Sequence, residues 1–115
     1  MFTVSYATAT VNPSTTDANL VTAKPSVVFR VIGGFVVAGG TATNVTFNSK
    51  GTGVGTAISS IIYCGANGGL VLPSPVQVGY GEPPPGYFQT TKGEGISVNT
   101  GAGTTVGISV VYMEV

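Results

Sequence analysis

The sequence predicts an all-β fold: a single-domain antiparallel β-sandwich of the jelly-roll type, with an extended N-terminal arm. Short runs rich in valine, isoleucine and threonine are separated by glycine, proline and asparagine, and the 115 residues include 18 glycines and 7 prolines. No stretch places apolar residues at the three-and-four spacing of a helix. Eight or nine strands at spacings of roughly 8–12 residues fit a sandwich, of which the jelly roll is the eight-stranded form.

Residues 1–25 are predicted to form the arm and the first short strands, and residues 26–115 the sandwich, within one domain overall. In the arm, Phe2, Val4 and Tyr6 alternate with small or polar residues until Asn12-Pro13 breaks the pattern. This segment is either a strand or an extended tail that becomes ordered only against a neighbour. A short strand is predicted over residues 20–24, ended by Pro25.

The run from residue 26 to residue 38 is the strongest strand pattern in the chain, and it is apolar on both faces. Alternation places five residues on one face (Val27, Phe29, Val31, Phe35 and Val37) and three on the other (Val28, Ile32 and Val36). A strand that is apolar on both faces is buried on both. One face should meet the core, and the other a loop or another subunit.

The other strands are predicted over residues 43–50, 56–63, 70–72, 87–91, 96–100 and 104–114. In the last of these, Val111 and Met113 lie on the face opposite to Val106, Ile108 and Val110. This is a second strand with two apolar faces, and we therefore predict that the protein is an oligomer.

The composition argues against most functions that depend on reactive or charged side chains. The chain has no histidine, one cysteine (Cys64), four basic and four acidic residues. A cysteine nucleophile needs a base, zinc needs clustered cysteine and histidine, and calcium needs a dense run of acidic oxygens. We therefore predict no enzymatic activity, no cofactor and no metal site. The cationic surface that nucleic acid requires is also missing, and no segment is long and apolar enough for a membrane-spanning helix.

Two features could still carry a specific role. Arg30 interrupts an apolar strand, so it either pairs with Glu94 or Glu114 or reaches water at a sheet edge. The segment 80–87, with Tyr80, Pro84 and Tyr87, is predicted to be stiff and exposed. It is either a binding loop with large contact area or an ordinary connection across the end of the sandwich.

From Val27 onward the chain resembles a family of small jelly-roll proteins of bacteriophage virions. The matching elements, in order, are residues 29–34 (FRVIGG), 45–47 (VTF), 66–73 (ANGGLVLP), 86–90 (GYFQT), 93–100 (GEGISVNT) and 110–115 (VVYMEV). The resemblance covers about three quarters of the chain, and its specificity lies in the order of the motifs. The arm and the proline-rich residues 81–85 depart from the family pattern.

This resemblance implies a capsid decoration (cement) protein that binds the outside of a phage head, with the major capsid protein as partner and a homotrimer as the oligomer. The protein would be made in the host cytoplasm and located on the capsid exterior. The alternative is a tail-fibre or tail-tip module that binds host surface glycans. The predicted partner and oligomer contacts are Phe2, Val4, Tyr6, Val28, Arg30, Ile32, Tyr80, Pro84, Tyr87, Val111 and Met113.

Overall fold

The computed structural model describes residues 4–74 and 84–115, so the predicted roles of Phe2 and Tyr80 lie outside the described residues. The all-β prediction is confirmed: the described residues form strands, turns and loops without a helix. No helix that could cross a membrane occurs in these ranges. The strands are β1 (Val4–Val11), β2 (Ala18–Val21), β3 (Phe29–Ala38), β4 (Thr43–Lys50), β5 (Thr56–Ala57), β6 (Ile62–Cys64), β7 (Gly69–Leu72), β8 (Phe88–Gln89), β9 (Gly95–Thr100) and β10 (Val106–Glu114).

The strands form two five-stranded antiparallel sheets. Sheet A has the order β1-β10-β3-β7, with β8 also paired to β3. Sheet B has the order β2-β9-β4-β5, with β6 also paired to β4. The prediction of a single strand over residues 56–63 is therefore wrong. It is two short strands, β5 and β6, that both pair with β4.

The core lies between the two sheets and is built from their inward-facing residues. Sheet A contributes Val31, Val36 and Val110, and sheet B contributes Phe47 and Val98; all five belong to one buried cluster. Burial of such side chains contributes roughly 1.5–3 kcal/mol each to the folded state, so this cluster is the main stabilising element.

A β-bulge in β3 changes which of its residues face the core. The register with β10 shifts where Val31 pairs with Tyr112 and Gly33 pairs with Val111, which leaves Ile32 as the extra residue. Gly34 has a φ of 130°, a conformation that favours glycine. A bulge reverses the alternation downstream of it. The prediction that placed Phe35 and Val37 on the same face as Phe29 and Val31 is therefore wrong: Phe29, Val31 and Val36 are buried, whereas Phe35 and Val37 are exposed.

Of the two alternatives for the N-terminal segment, a strand or an extended tail, the described part is a strand of the protein's own sheet. β1 pairs with β10 over eight consecutive residues, from Val4 opposite Met113 to Val11 opposite Val106. Ala7 and Ala9 pack against the core and Val11 is part of it. This inward-facing alternation explains why the segment folds onto sheet A.

Candidate assembly surface

The outer face of sheet A carries a cluster of exposed apolar side chains, which we call the apolar face and define as Val4, Tyr6, Phe35, Val37 and Val71. These residues are between 42% and 78% exposed. Three come from β3 and β7 and two from β1, so the cluster spans the sheet. Scattered exposed apolar residues are normal on proteins, but several that share one sheet face mark a contact surface.

The strand register fixes the layout of this surface. One cross-strand row contains Thr8, Ser109, Phe35 and Val71, in that order across β1, β10, β3 and β7. The next row contains Thr10, Gly107, Val37 and Gly69. Neither row contains a charged residue.

Small residues on β10 make a shallow groove in the middle of the apolar face. Gly107 and Ser109 form its floor, Thr8 and Thr10 one wall and Phe35 the other, around a volume of about 390 Å³. The surface is therefore a ridge of apolar side chains beside a trough with an uncharged floor.

The other end of this sheet face is covered by the chain itself. Ile32 and Met113 are buried, yet neither belongs to the core cluster. A side chain at Gly33 would collide with the Ser74 hydroxyl, so the chain after β7 passes over this point. Ile32 and Met113, two of the predicted contact residues, are thus already covered within one chain. The exposed apolar residues of β3 that a second copy could cover are instead Phe35 and Val37.

The remaining predicted contact residues lie around this covered region. Val28 is half-buried, and its backbone pairs with Val115 through a 2.9 Å bond from the Val115 N–H to the Val28 carbonyl. Val111 is half-buried on the outer side of β10. Tyr87 is exposed, and its hydroxyl donates to the Pro73 carbonyl.

Arg30 forms neither of the ion pairs predicted for it. Its Nε donates to Gln89 Oε1 at 2.9 Å, and its Nη1 donates to the Pro84 carbonyl at 3.1 Å. Glu114 instead pairs with Lys24 at 3.0 Å, and Glu94 accepts a 2.6 Å bond from the Ser49 hydroxyl. Arg30 thus ties β8 and the segment before it to β3, which positions the edge of the apolar face.

The outer face of sheet B differs, because polar residues cover it. Asp17 lies on this face with Oδ1 accepting bonds from Ser97 Oγ at 2.9 Å and Asn48 Nδ2 at 3.3 Å. Its Oδ2 accepts a 3.0 Å bond from the Gly55 N–H. The Gly55 N–H is the largest cause of a lowered pKa for the Asp17 carboxyl, with Ser97, Lys50 and Asn48 lowering it further and partial burial opposing them.

A second hollow lies where β4 and β6 meet the turn after β9. It has a volume of about 530 Å³ and is lined in part by Asn44, Tyr63, Gly101 and Ala102. Tyr63 is 78% exposed and lies directly opposite Asn44 in the sheet. An exposed aromatic ring beside an amide is a pair that sugars can stack on and bond to.

The described residues contain no group of three or more metal-binding side chains. Cys64 is buried, and burial raises the pKa of its thiol, which disfavours the reactive thiolate. Comparison with protein-family models, with curated proteins and with solved structures finds no match for this chain.

Sequence reasoning missed Phe35, Val37 and Val71 as surface residues. The signal that could have located the first two is the Gly33-Gly34 pair, since glycine inside a strand pattern often marks a bulge. Val71 sits in a short run whose inward and outward residues cannot be told apart from the sequence alone.

Proposed function

We propose that this chain is a non-enzymatic structural protein of a bacteriophage virion: a capsid decoration protein that binds the outside of the head, with the major capsid protein as its partner. The observation that carries the proposal is the apolar face, an exposed surface in which the cross-strand rows through Phe35 and Val37 hold no charged residue. Covering an apolar surface of this kind with another protein removes it from water and lowers the free energy of the system. Such binding stabilises a shell without any reaction.

We propose further that the fold is a jelly roll, which is the fold implied by the resemblance. If β5 and β6 are taken as one interrupted strand and β7 and β8 as another, the chain has eight strands. These alternate between sheets A and B except at the central pair, β4 and β5–β6, which are neighbours in sheet B. The resulting orders, β1-β10-β3-β7 and β2-β9-β4-β6, support two interlocked Greek keys.

The attached form we propose is the homotrimer that the resemblance implies, located on the capsid exterior. The even balance of four basic and four acidic residues supports close packing of copies, because a protein with little net charge has little self-repulsion. The apolar face is the surface that this assembly would cover.

The copy number in purified virions tests the location directly. Quantitative mass spectrometry against the major capsid protein should give a ratio on the order of one to one. A few copies per virion would contradict a decoration role and move the protein to the tail.

A pair of matched variants tests the surface. Val71→Lys places a charge on the apolar face, whereas Val54→Lys makes the same change at an 85% exposed valine in the turn after β4. In a co-sedimentation assay with undecorated capsids, we expect Val71→Lys to weaken attachment at least tenfold and Val54→Lys to leave it unchanged. Equal binding of both would overturn the assignment of this face.

The hollow beside Tyr63 favours a second candidate function, a tail-tip module that binds host glycans. Its specific support is the exposed Tyr63 ring next to Asn44, with no charged residue among the lining residues. Titration with neutral oligosaccharides from the host surface, followed by tyrosine fluorescence, tests it. Saturable binding that Tyr63→Ala abolishes would support this candidate, and the absence of binding would remove it.

A further inference from the structure

The free edge of β1 is the longest strand edge among the described residues. β1 has eight residues, whereas the other edge strands (β2, β5, β6, β7 and β8) have between two and four. One side of β1 pairs with β10 throughout. No described residue forms a backbone hydrogen bond with its other side. Among the residues that the structure describes, this row of backbone donors and acceptors therefore has no partner.

This edge also lacks the features by which proteins prevent strands from pairing with other chains. Common protective features are charged side chains, proline, bulges and short length. The sequence of β1, VSYATATV, contains no charged residue and no proline, and its register with β10 runs without a shift. The edge strand β2, in contrast, is half as long and has a register shift between Asn19 and Val21.

We propose that β1 pairs in antiparallel orientation with β1 of a second copy of this chain. The two strands are identical and uncharged, so no like charges oppose their approach. Antiparallel pairing of identical strands has two-fold symmetry, in which each copy uses the same surface and the contact closes on itself. The pairing joins the two copies of sheet A into one ten-stranded sheet, twice the five strands of each.

The alternation of side chains restricts the register of this pair. Val4, Tyr6, Thr8 and Thr10 point outward and the residues between them point inward. Opposed residues must point to the same side, so the two-fold axis has to pass at the level of a residue and not between two residues. An axis at Ala7 or at Thr8 gives the longest pairing. Either register makes the two apolar faces contiguous.

This contact does not depend on attachment to a shell. It is a property of the chain in solution, and in a virion it would join neighbouring trimers. The two proposals therefore fail separately: an absence from the capsid would leave β1 pairing intact, and an unpaired β1 would leave decoration intact.

Cysteine cross-linking tests the pairing. In a Cys64→Ala background, which removes the buried thiol, Thr8→Cys and Ala7→Cys each place a thiol at a proposed axis. A disulfide forms only if the two Cα atoms lie within about 7 Å. A cysteine at the two-fold axis therefore reacts with the same cysteine of the second copy. Thr56→Cys is the matched control for Thr8→Cys, since both threonines are exposed on an edge strand. Ala57→Cys is a second control on β5 for Ala7→Cys, whose side chain is half-buried against the core.

After mild oxidation, a non-reducing gel should show a covalent dimer, twice the 11.5 kDa of the chain, for Thr8→Cys or Ala7→Cys and not for the controls. Cross-linking at neither position, or at the β5 positions to the same extent, would overturn the proposal. Light scattering gives a second measurement without a thiol. Thr8→Lys should raise the concentration needed for self-association at least tenfold relative to Thr56→Lys, and equal association of the two would contradict β1 pairing.

Discussion

The outer faces of the two sheets differ in how their side chains are satisfied. On sheet B, polar side chains bond to one another, and the segment that contains Asp17 lies over Asn48 and Ser97, both of which are almost fully buried. On sheet A, apolar side chains such as Phe35 and Val71 have no cover over them. The Asp17 network of sheet B is satisfied within the chain, whereas the part of sheet A that carries Phe35 and Val71 is exposed.

The difference shows which face is available to a partner. The Asp17, Asn48 and Ser97 side chains of sheet B already bond to one another, so a partner there would have to compete with bonds that exist. The apolar side chains of sheet A form no hydrogen bonds. Covering them with a partner lowers the free energy because it removes them from water. Of the two outer faces, that of sheet B should therefore contribute more to the stability of the single chain, and that of sheet A more to assembly.

Removing the Asp17 carboxylate should give the largest effect on stability. Asp17→Ala deletes the acceptor for Ser97, Asn48 and the Gly55 N–H and leaves the buried Asn48 amide without its partner. It also puts alanine at a φ of 53°, which disfavours residues other than glycine, asparagine and aspartate. We expect a loss of about 2–4 kcal/mol in the free energy of unfolding, measured by urea denaturation.

Asp17→Asn is the control, because asparagine keeps the shape and tolerates positive φ. It should lose less than the alanine variant. A change of under ~0.5 kcal/mol for Asp17→Ala, the range of ordinary surface substitutions, would show that the outer face of sheet B does not hold the chain together.

Arg30 borders the apolar face, and its removal should have an intermediate effect. Arg30→Ala loses the bonds to Gln89 and to the Pro84 carbonyl and should cost about 1–2 kcal/mol. Lys50→Ala is the comparison, since the Lys50 side chain hydrogen-bonds to the carbonyls of its own turn, at Gly51 and Gly53, and its removal should cost about 0.5 kcal/mol or less. Identical thermal melting curves for the two variants would contradict a positioning role for Arg30.

The Asp17 carboxylate should also make the stability of the protein depend on pH, and this effect should be smaller. The pKa of Asp17 is lowered in the folded protein, first by the bond from the Gly55 N–H. A carboxyl with a depressed folded pKa contributes stability that is complete above its unfolded pKa of about 3.9 and is lost as the pH falls through the folded value. Urea midpoints should therefore decline below about pH 4, and the decline should be shallower in Asp17→Asn. An unchanged slope would assign the acid sensitivity to other groups.

Much of the fold could be predicted from local pattern. Strand β4 begins and ends at the predicted residues because alternation and the glycine turn after Lys50 define it. The two faces of β10 were also assigned correctly, since no bulge within β10 interrupts its alternation and Val106, Ile108 and Val110 are buried.

The assembly surface could not be predicted in the same way, because it depends on one extra residue in β3. A bulge at Ile32 moves Phe35 and Val37 from the core to the surface, and no periodicity reveals which of Ile32, Gly33 and Gly34 is the inserted residue. The Asp17 network was missed for a different reason. Its partners are 31 to 80 residues distant in the sequence and meet only after both sheets form.

The smallest effect on stability is expected for a substitution on the apolar face. Two neighbouring valines of β3 test directly which residues face the core and which face outward. Val36 and Val37 are consecutive valines on β3, but Val36 is 1% exposed and Val37 is 42% exposed. Val36→Thr puts a hydroxyl into the core and should cost about 1–3 kcal/mol. Val37→Thr exposes the hydroxyl to water and should change the free energy of unfolding by less than ~0.5 kcal/mol, measured by urea denaturation at a concentration where the protein is monomeric. Had the alternation continued unbroken through Ile32, Val37 would be the sensitive position and Val36 the tolerant one. A reversed pair of values would therefore disprove both the bulge and the surface that it creates.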